Sequence, residues 1–243
     1  MTESDLSSVW VYLSATPLLG LTITLVAYSI AYRIYIFMDS NPLLNPVISS
    51  VAVLIIFLLI TDTPYSAYFE GGQFVHFLLG PATVALAVPL YQQFTKLRKL
   101  WLPLSIALVS GVVIGALSSI GIARLLGASL QTQLSLAPKS VTAPVAMGIS
   151  EQIGGLPSLT AVFVVATGII GAVLGSRLFK LMKIEDDSVK GIAMGITAHG
   201  IGTARAFQIS REMGAFSGLA MALSAFTTAI ILPWLLDLTG LLR

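Results

Sequence analysis

The stretch VKGIAMGITAHGIGTARAFQIS, residues 189–210, decides the fold, because it is apolar enough to enter a membrane yet carries a histidine, an arginine and four glycines. An arginine near the bilayer centre costs at least ~2.5 kcal/mol on insertion scales, and each glycine costs a helix roughly 1 kcal/mol relative to alanine. A helix broken at Gly200 and Gly202 would offset both costs, with Thr203 capping the second half-helix. The N–H groups of that half-helix would then attract an anion.

The alternative for this stretch is a continuous glycine-rich helix that packs closely on its neighbours through small residues. In that case His199 would only form a structural hydrogen bond. The side chains of His199, Thr203 and Arg205 lie within two helical turns. Their proximity favours a polar site over a packing role.

A similar pattern occurs earlier in the chain, where residues 80–84 read GPATV and residues 200–204 read GIGTA. Pro81 would occupy a first-turn position, where proline is tolerated. Each copy lies between two long apolar segments, so the surrounding organisation repeats as well. We therefore predict two discontinuous helices, one broken at Gly80 and Pro81 and the other at Gly200 and Gly202.

The composition is that of an integral membrane protein. Hydrophobic residues make up 56% of the 243 residues and charged residues only 10%, and the mean hydropathy is +0.93, whereas soluble domains are about 25% charged. The alternating pattern of a membrane barrel is missing, so the spans are helices. The net charge of +2 gives no indication of a nucleic-acid partner. The chain has no cysteine, which excludes thiol chemistry, and we expect no cofactor, metal or catalytic residue.

The predicted fold is all-α, a polytopic helical membrane protein of about seven to eight spans within a single transmembrane domain, 1–243. The apolar segments are residues 9–32, 46–60, 73–91, 100–122, 158–181, 189–210 and 214–236. The N-terminus lacks the basic stretch that opens a secretory signal, so the first segment is expected to be a retained helix, kinked at Pro17. Residues 124–157 are too polar for a clean span and too apolar for a plain loop.

Basic residues orient these segments. Arg33 and residues 96–99 and 177–190 are expected on the cytoplasmic side, with the N-terminus outside. This orientation requires residues 124–157 to enter and leave the membrane by the same face. The two broken helices would then form an inverted repeat with halves 1–125 and 138–243, which builds a site near the bilayer midplane. If residues 124–157 instead cross the membrane once, the chain contains either a parallel repeat or no repeat.

Further polar residues lie in residues 136–157, LAPKSVTAPVAMGISEQIGGLP. Pro138 and Pro144 limit any helix here to short pieces. Lys139 precedes the short helix, and Glu151 lies near its end. Both charged side chains could lie at the membrane surface. Alternatively, Lys139 would bind a carboxylate ligand or pair with Glu151.

Four phrases resemble the LrgB/CidB family, in the same order and over most of the chain. They are FLLGPATVALAVPLY (77–91), LAPKSVTAPVA (136–146), SEQIGGLPSLTA (150–161) and AHGIGTARA (198–206). The family includes bacterial inner-membrane proteins, often encoded beside a small LrgA/CidA-type membrane protein, and the LrgB-like part of the plant plastidial glycolate/glycerate transporter. The resemblance implies a carrier of small 2-hydroxy or 2-oxo monocarboxylates, such as glycolate, glycerate, lactate or pyruvate. Bacterial members were first described as holin/antiholin-like modulators of murein hydrolase export and lysis, which is the competing description.

The resemblance and the residue pattern together predict a substrate site. The family motifs fall on Gly80, Pro81, Thr83, Pro138, Lys139, Ser140, Thr142, Glu151, Gly154, Gly155, His199, Gly202 and Thr203. The residues predicted to bind substrate are Thr83, Lys139, Ser140, Thr142, Thr203 and Arg205. Lys139 would supply the positive charge, and Arg205, at a position where bacterial relatives are expected to carry lysine, would tune it. His199 or Glu151 would carry a co-transported proton, because the unperturbed histidine pKa of ~6.5 lies near physiological pH.

The expected partners are the carboxylate substrate, the lipid bilayer, an LrgA/CidA-type small membrane subunit and further copies of the chain, in a bacterial inner membrane. A holin-like regulator is the alternative: it would act through oligomerisation and would not need Lys139 or His199. An intramembrane enzyme is the weakest hypothesis. The sequence has neither an H-E-x-x-H zinc helix nor a nucleophile elbow, and its two histidines lie in separate spans.

Overall fold

The computed structural model describes residues 17–38, 44–78, 81, 84–85 and 87–241, and its regular elements are helices. The chain forms two compact units, Met1–Ala85 and Leu86–Arg243, which are described separately. The first unit contains α1 (Pro17–Phe37), α2 (Pro46–Ile60) and α3 (Tyr65–Phe77). The second contains α4 (Ala87–Gln92), α5 (Phe94–Leu125), α6 (Leu130–Leu136), α7 (Ala143–Gln152), α8 (Pro157–Leu181), α9 (Asp187–Ile209) and α10 (Arg211–Leu238).

In the first unit, α1 packs against both α2 and α3. Gly20 brings α1 so close to the backbone of Tyr68 that a Cβ at this position would collide with it. The hydroxyl groups of Thr24 and Tyr68 are hydrogen-bonded at 2.7 Å. The start of α2 is capped by the Asn45 side chain, which accepts a hydrogen bond from the Val47 N–H at 2.9 Å.

Four of the described helices are long and apolar enough to cross a membrane. They cover Leu18–Phe37, Phe94–Leu125, Pro157–Leu181 and Arg211–Leu238. The shorter apolar helix Pro46–Ile60 has the bounds predicted from the sequence. The predictions of an all-helical, multi-pass membrane protein are therefore confirmed. The total of about seven to eight spans stays a prediction.

Helix α9 is a re-entrant hairpin rather than a crossing helix. Its backbone leaves the helical conformation at His199 (φ 39°, ψ −132°), and the hydroxyl of Ser210, just after the helix, donates to the carboxylate of Asp187 at its start, at 2.7 Å. A straight helix of 23 residues would separate those two ends by about 35 Å. The first arm of the hairpin therefore runs for twelve residues from Asp187 to the turn at His199, and the second arm returns to Ser210 beside Asp187.

This geometry corrects two predictions about residues 189–210. The helix was expected to be broken at Gly200 and Gly202, and the break lies one residue earlier, at His199. The segment was expected to cross the membrane, and both of its ends lie at the same end of the unit. The physical reason is length, because each arm of the hairpin rises less than about 20 Å, which is too short to cross a hydrocarbon core of about 30 Å.

A second re-entrant segment, residues 126–156, enters from the opposite end of the unit. Leu134 of α6 and Ile153 after α7 lie in one buried cluster with Ile120 of α5 and Leu236 of α10. The middle of the segment, at Val141, instead packs against Val164, seven residues into α8. Both ends of the segment therefore lie at the same end of the unit, and the orientation of the chain in the membrane stays a prediction.

The opposite end of the unit is fixed by ion pairs. The ammonium group of Lys96, near the start of α5, lies 3.1 Å from the Asp186 carboxylate and 2.7 Å from the Glu212 carboxylate. Asp186 also caps α9 by accepting a hydrogen bond from the Ser188 N–H at 2.8 Å. Hydrogen bonds from the Ser188 hydroxyl and from Lys96 hold the pKa of the Asp186 carboxyl well below its usual range. The starts of α5, α9 and α10 are thus held together at this end.

The first predicted helix break lies mostly outside the described residues. Gly80 and Thr83 are not described, and Pro81 is described as helical and exposed. The predicted repeat halves, 1–125 and 138–243, therefore stay a prediction.

The re-entrant course of α9 can be tested with single cysteines, because the chain contains none. Lys183→Cys and Arg211→Cys should react with a membrane-impermeant thiol reagent from one face of the membrane, and Ser129→Cys and Gln152→Cys from the other. All four positions are exposed. Labelling would be compared in intact cells and inverted vesicles, with the unmodified chain as the blank. If residues 183 and 211 react from opposite faces, α9 crosses the membrane and the hairpin is wrong.

Meeting point of two re-entrant segments

His199 forms the tip of the α9 hairpin. Its side chain is buried, and its Nε2 lies 2.9 Å from the carbonyl oxygen of Val164. Because a carbonyl only accepts, Nε2 is the donor in this bond. The ring packs against Gly168, where a Cβ would lie only 2.7 Å from its Cε1. The absence of a side chain at Gly168 therefore leaves the space that the imidazole occupies.

The tip of the other re-entrant segment reaches the same part of α8. Val141 is buried against Val164, the residue whose carbonyl bonds His199. Lys139 and Ser140, just before Val141, are half-buried, and the Lys139 ammonium donates to the Ser140 hydroxyl at 3.3 Å. The structure thus places two predicted site residues, Lys139 and Ser140, on one tip and His199 on the other, with Val164 in contact with both tips.

Each tip also presents the beginning of a helix. Thr142 is the N-cap residue of α7, but its side chain makes no capping hydrogen bond. The second arm of α9 begins directly after His199. The first turn of a helix has N–H groups without intrahelical partners and the positive end of the helix dipole. At the first tip, the Lys139 ammonium therefore precedes the start of α7, and at the second tip, His199 lies between the end of the first arm of α9 and the start of the second.

Thr203 lies inside the second arm of α9 and not at the predicted N-cap position, and its predicted contact with the substrate stays a prediction. Its hydroxyl donates to the carbonyl of His199 at 2.8 Å and is hydrogen-bonded to the Ser217 hydroxyl of α10 at 2.9 Å. It therefore does not cap the second arm, because that arm already begins at Gly200, one turn before Thr203. These two bonds hold the carbonyl at the turn and attach the arm to α10.

Two other predicted residues lie away from the tips. Glu151 is exposed near the end of α7, away from Lys139 at that helix's start. Arg205 donates to the side chain of Gln208 at 3.0 Å and lines a cavity of about 610 Å³ near the base of the α9 hairpin. The other charged residues that line this cavity are Lys180, Lys183, Glu185 and Lys190.

Sequence reasoning missed the buried hydroxyls of α10. Ser217 is fully buried and is hydrogen-bonded to Thr203. Ser224, two turns further along, is 1% exposed, and its Oγ has no hydrogen-bond partner in the part of the chain that the structure describes. The available signal was their seven-residue spacing, which places both on one helix face. Within the part of the chain that is described, no group of three or more His, Asp or Glu side chains could hold a metal ion.

Comparison with known proteins identifies relatives along most of the chain. A model of the LrgB-like family matches residues 24–238. The chain is 38% identical over 193 residues to the uncharacterized protein YwbG of Bacillus subtilis, covering 79% of this chain and 86% of YwbG. It is 34% identical over 227 residues to the holin-like protein CidB of Staphylococcus epidermidis (93% of this chain, 97% of CidB). It is 28% identical over 225 residues to the antiholin-like protein LrgB of Bacillus cereus (93% and 98%). No solved structure matches the chain.

The fit of His199 against α8 can be tested with Gly168→Ala. The added methyl group would lie 2.7 Å from His199 Cε1 and 2.9 Å from Ile201 Cδ1, so the hairpin tip must shift. We expect a loss of roughly 1–3 kcal/mol of stability, the usual cost of overpacking, measured as a lower melting temperature in detergent. Gly148→Ala in α7 is the matched control, because a Cβ there meets nothing within 4 Å. Equal stability of the two variants would contradict the described packing.

Proposed function

The chain belongs to the LrgB-like family, and from this premise we propose that it is a carrier of small 2-hydroxy or 2-oxo monocarboxylates, of the glycolate, glycerate, lactate or pyruvate type. One observation carries the proposal: two re-entrant segments from opposite ends of the unit meet at Val164. Discontinuous helices that meet inside a membrane are typical of the substrate sites of secondary transporters. Neither the matching family model nor the matched relatives indicate a catalytic activity.

The arrangement supports an inverted repeat shorter than the predicted halves. Residues 126–181 form a re-entrant segment followed by the long helix α8, and residues 187–238 form another followed by α10. The two long helices run in opposite directions, since the end of α8 and the start of α10 both lie near the base of the α9 hairpin, where Phe179 packs with Met213. Inverted repeats allow one site to face the two sides of a membrane alternately.

The chemistry of the tips suits a carboxylate. Lys139 supplies a positive charge that is half-buried, so its attraction to an anion is screened less than on an exposed surface. The starts of α7 and of the second arm of α9 add partial positive charge. Ser140 and Thr142 carry hydroxyl groups that both donate and accept, which suits a hydroxyl or keto oxygen beside the carboxylate. Thr83 stays a proposed ligand that the structure does not describe.

The positive-inside bias supports a cytoplasmic location for the end that carries Lys96, Lys180, Lys183 and Lys190. In this orientation the cavity lined by Arg205 opens on the cytoplasmic side. Four cationic side chains and one carboxylate line it, so its field would raise the local concentration of small anions. Arg205 would therefore attract the substrate into this cavity.

His199 is the proposed proton carrier. Its Nε2 donates to Val164, which leaves Nδ1 to take up a proton. Glu151 is less suitable, because it is exposed near the far end of α7. Protonation of His199 would place a second positive charge at the meeting point, and this charge would favour simultaneous binding of an anion.

A second candidate function rests on the names of the relatives. CidB of Staphylococcus epidermidis is named holin-like and LrgB of Bacillus cereus antiholin-like, and these names favour a regulator of murein hydrolase activity and lysis over a carrier. Such a protein would act as an oligomer, with or without an LrgA/CidA-type small subunit. Uptake of labelled glycolate, glycerate, lactate and pyruvate into proteoliposomes, with and without such a subunit, separates the two functions. Leakage of an unrelated dye without saturable uptake would support the regulator.

Lys139→Ala tests the anion site. We expect at least a tenfold loss of saturable uptake of the preferred acid, because removing one partner of a charge-assisted contact costs roughly 1.5–3 kcal/mol. Folding and membrane insertion should be unchanged. Lys99→Ala is the matched control, since Lys99 is exposed and lies near the end of the unit that carries Lys96. Normal uptake by Lys139→Ala would remove Lys139 from the site.

His199→Gln tests proton coupling. An inward acid gradient should drive accumulation by the unmodified protein, and the variant should lose this drive but still exchange substrate. A glutamine amide can donate to the Val164 carbonyl but does not titrate. His76→Gln, which removes the other histidine in the sequence, should keep the drive. If the unmodified protein does not respond to the gradient, His199 has only a structural role.

A further inference from the structure

The hydroxyl group of Ser224 in α10 is buried without a partner. The residue is 1% exposed, and its Oγ has no hydrogen-bond partner among the described residues. A serine inside a helix usually donates to the carbonyl three or four residues earlier, as Ser119 of α5 does to Ala116 at 2.9 Å. Ser224 lacks even this local bond. Most buried polar atoms in proteins have a partner, so the exception needs an explanation.

Ser224 lies at the level where the two tips meet. Three residues before it, the sulfur of Met221 is 3.8 Å from the Thr203 hydroxyl and 4.0 Å from the position that a Cβ of Gly200 would take. Met221 is therefore beside the α9 tip. Directly after Ser224, Ala225 packs against the cluster formed by Val141, Ala146 and Val164. Along α10, Ser224 therefore lies between Met221, which is beside the α9 tip, and Ala225, which packs near the tip that contains Val141.

We propose that the Ser224 hydroxyl hydrogen-bonds to the bound acid and helps to select 2-hydroxy acids. This inference rests on the proposed carrier function and adds a residue from α10 to the site. A hydroxyl group both donates and accepts, so Ser224 can donate to a carboxylate oxygen or pair with a 2-hydroxyl group. A site that hydrogen-bonds a substrate hydroxyl rejects the analogue that lacks it.

Ser224→Ala tests the proposal, because a residue with only a structural role would lower the melting temperature when it is replaced, and a substrate-binding residue would not. We expect the KM for glycolate to rise roughly tenfold or more, the preference for glycolate over acetate to fall, and the melting temperature to stay equal or rise. Removal of an unpaired buried hydroxyl does not destabilise a protein. Ser119→Ala is the matched control, because that serine is also buried in a helix but is bonded locally. An unchanged KM and preference in Ser224→Ala would overturn the proposal.

A second measurement does not depend on transport rates. Ser224→Cys introduces the only thiol into a chain without cysteine, and glycolate should slow its reaction with a small methanethiosulfonate reagent at least severalfold, whereas acetate should protect it less. Equal reaction rates with and without glycolate would overturn the assignment of Ser224. If the unmodified protein shows saturable uptake, that failure concerns Ser224 alone. If the unmodified protein shows no uptake and the thiol is unprotected, both the carrier function and the role of Ser224 are wrong.

Discussion

The backbone conformation of His199 is the constraint on which the arrangement of the second unit depends. A non-glycine residue with φ of 39° and ψ of −132° lies in a sparsely populated region that costs of order 1–3 kcal/mol. Two hydrogen bonds offset this cost, one from the imidazole to Val164 and one from Thr203 to the His199 carbonyl. Without that turn, the second arm of α9 would continue away from Asp187, and α10 would begin at the other end of the unit.

Small residues make the hairpin compact enough to fit beside α10. A Cβ at Gly191 would collide with the backbone of Met213, and one at Gly195 with the backbone of Ser217. The first arm of α9 can therefore approach α10 at backbone distance along two consecutive turns. Lipid removes the hydrophobic driving force between helices in a membrane, and small residues strengthen the van der Waals packing that remains because they let the backbones approach closely. Gly191 and Gly195, which lower the helix propensity of the first arm, are thus required by the contact with α10 that they allow.

Sequence reasoning located the polar elements but not the path of the chain. The break was predicted within one residue of His199, and Lys139 was predicted to precede a short helix, which begins at Ala143. Hydropathy cannot distinguish a helix that crosses from two half-helices that enter and return, because both contain about 20 apolar residues. The direction of the chain after the break is set by long-range contacts, such as the hydrogen bond between Ser210 and Asp187. The seven-residue spacing of Ser217 and Ser224 indicates a shared helix face, but it does not indicate an unpaired hydroxyl, because a serine in an apolar helix normally satisfies its hydroxyl locally.

The polar groups at the meeting point also bear on the choice between a carrier and a regulator. Lys139, His199 and Ser224 place a cation, an imidazole and an unpaired hydroxyl in or beside a core that also contains Val141 and Val164. Ionisable and polar groups inside a membrane are costly, and a protein that acted only through apolar packing between subunits would be more stable without them. A ligand that carries a negative charge and hydrogen-bonding oxygens would offset the cost of all three. The proposed carrier function accounts for these polar groups, whereas the relatives' names favour a regulator.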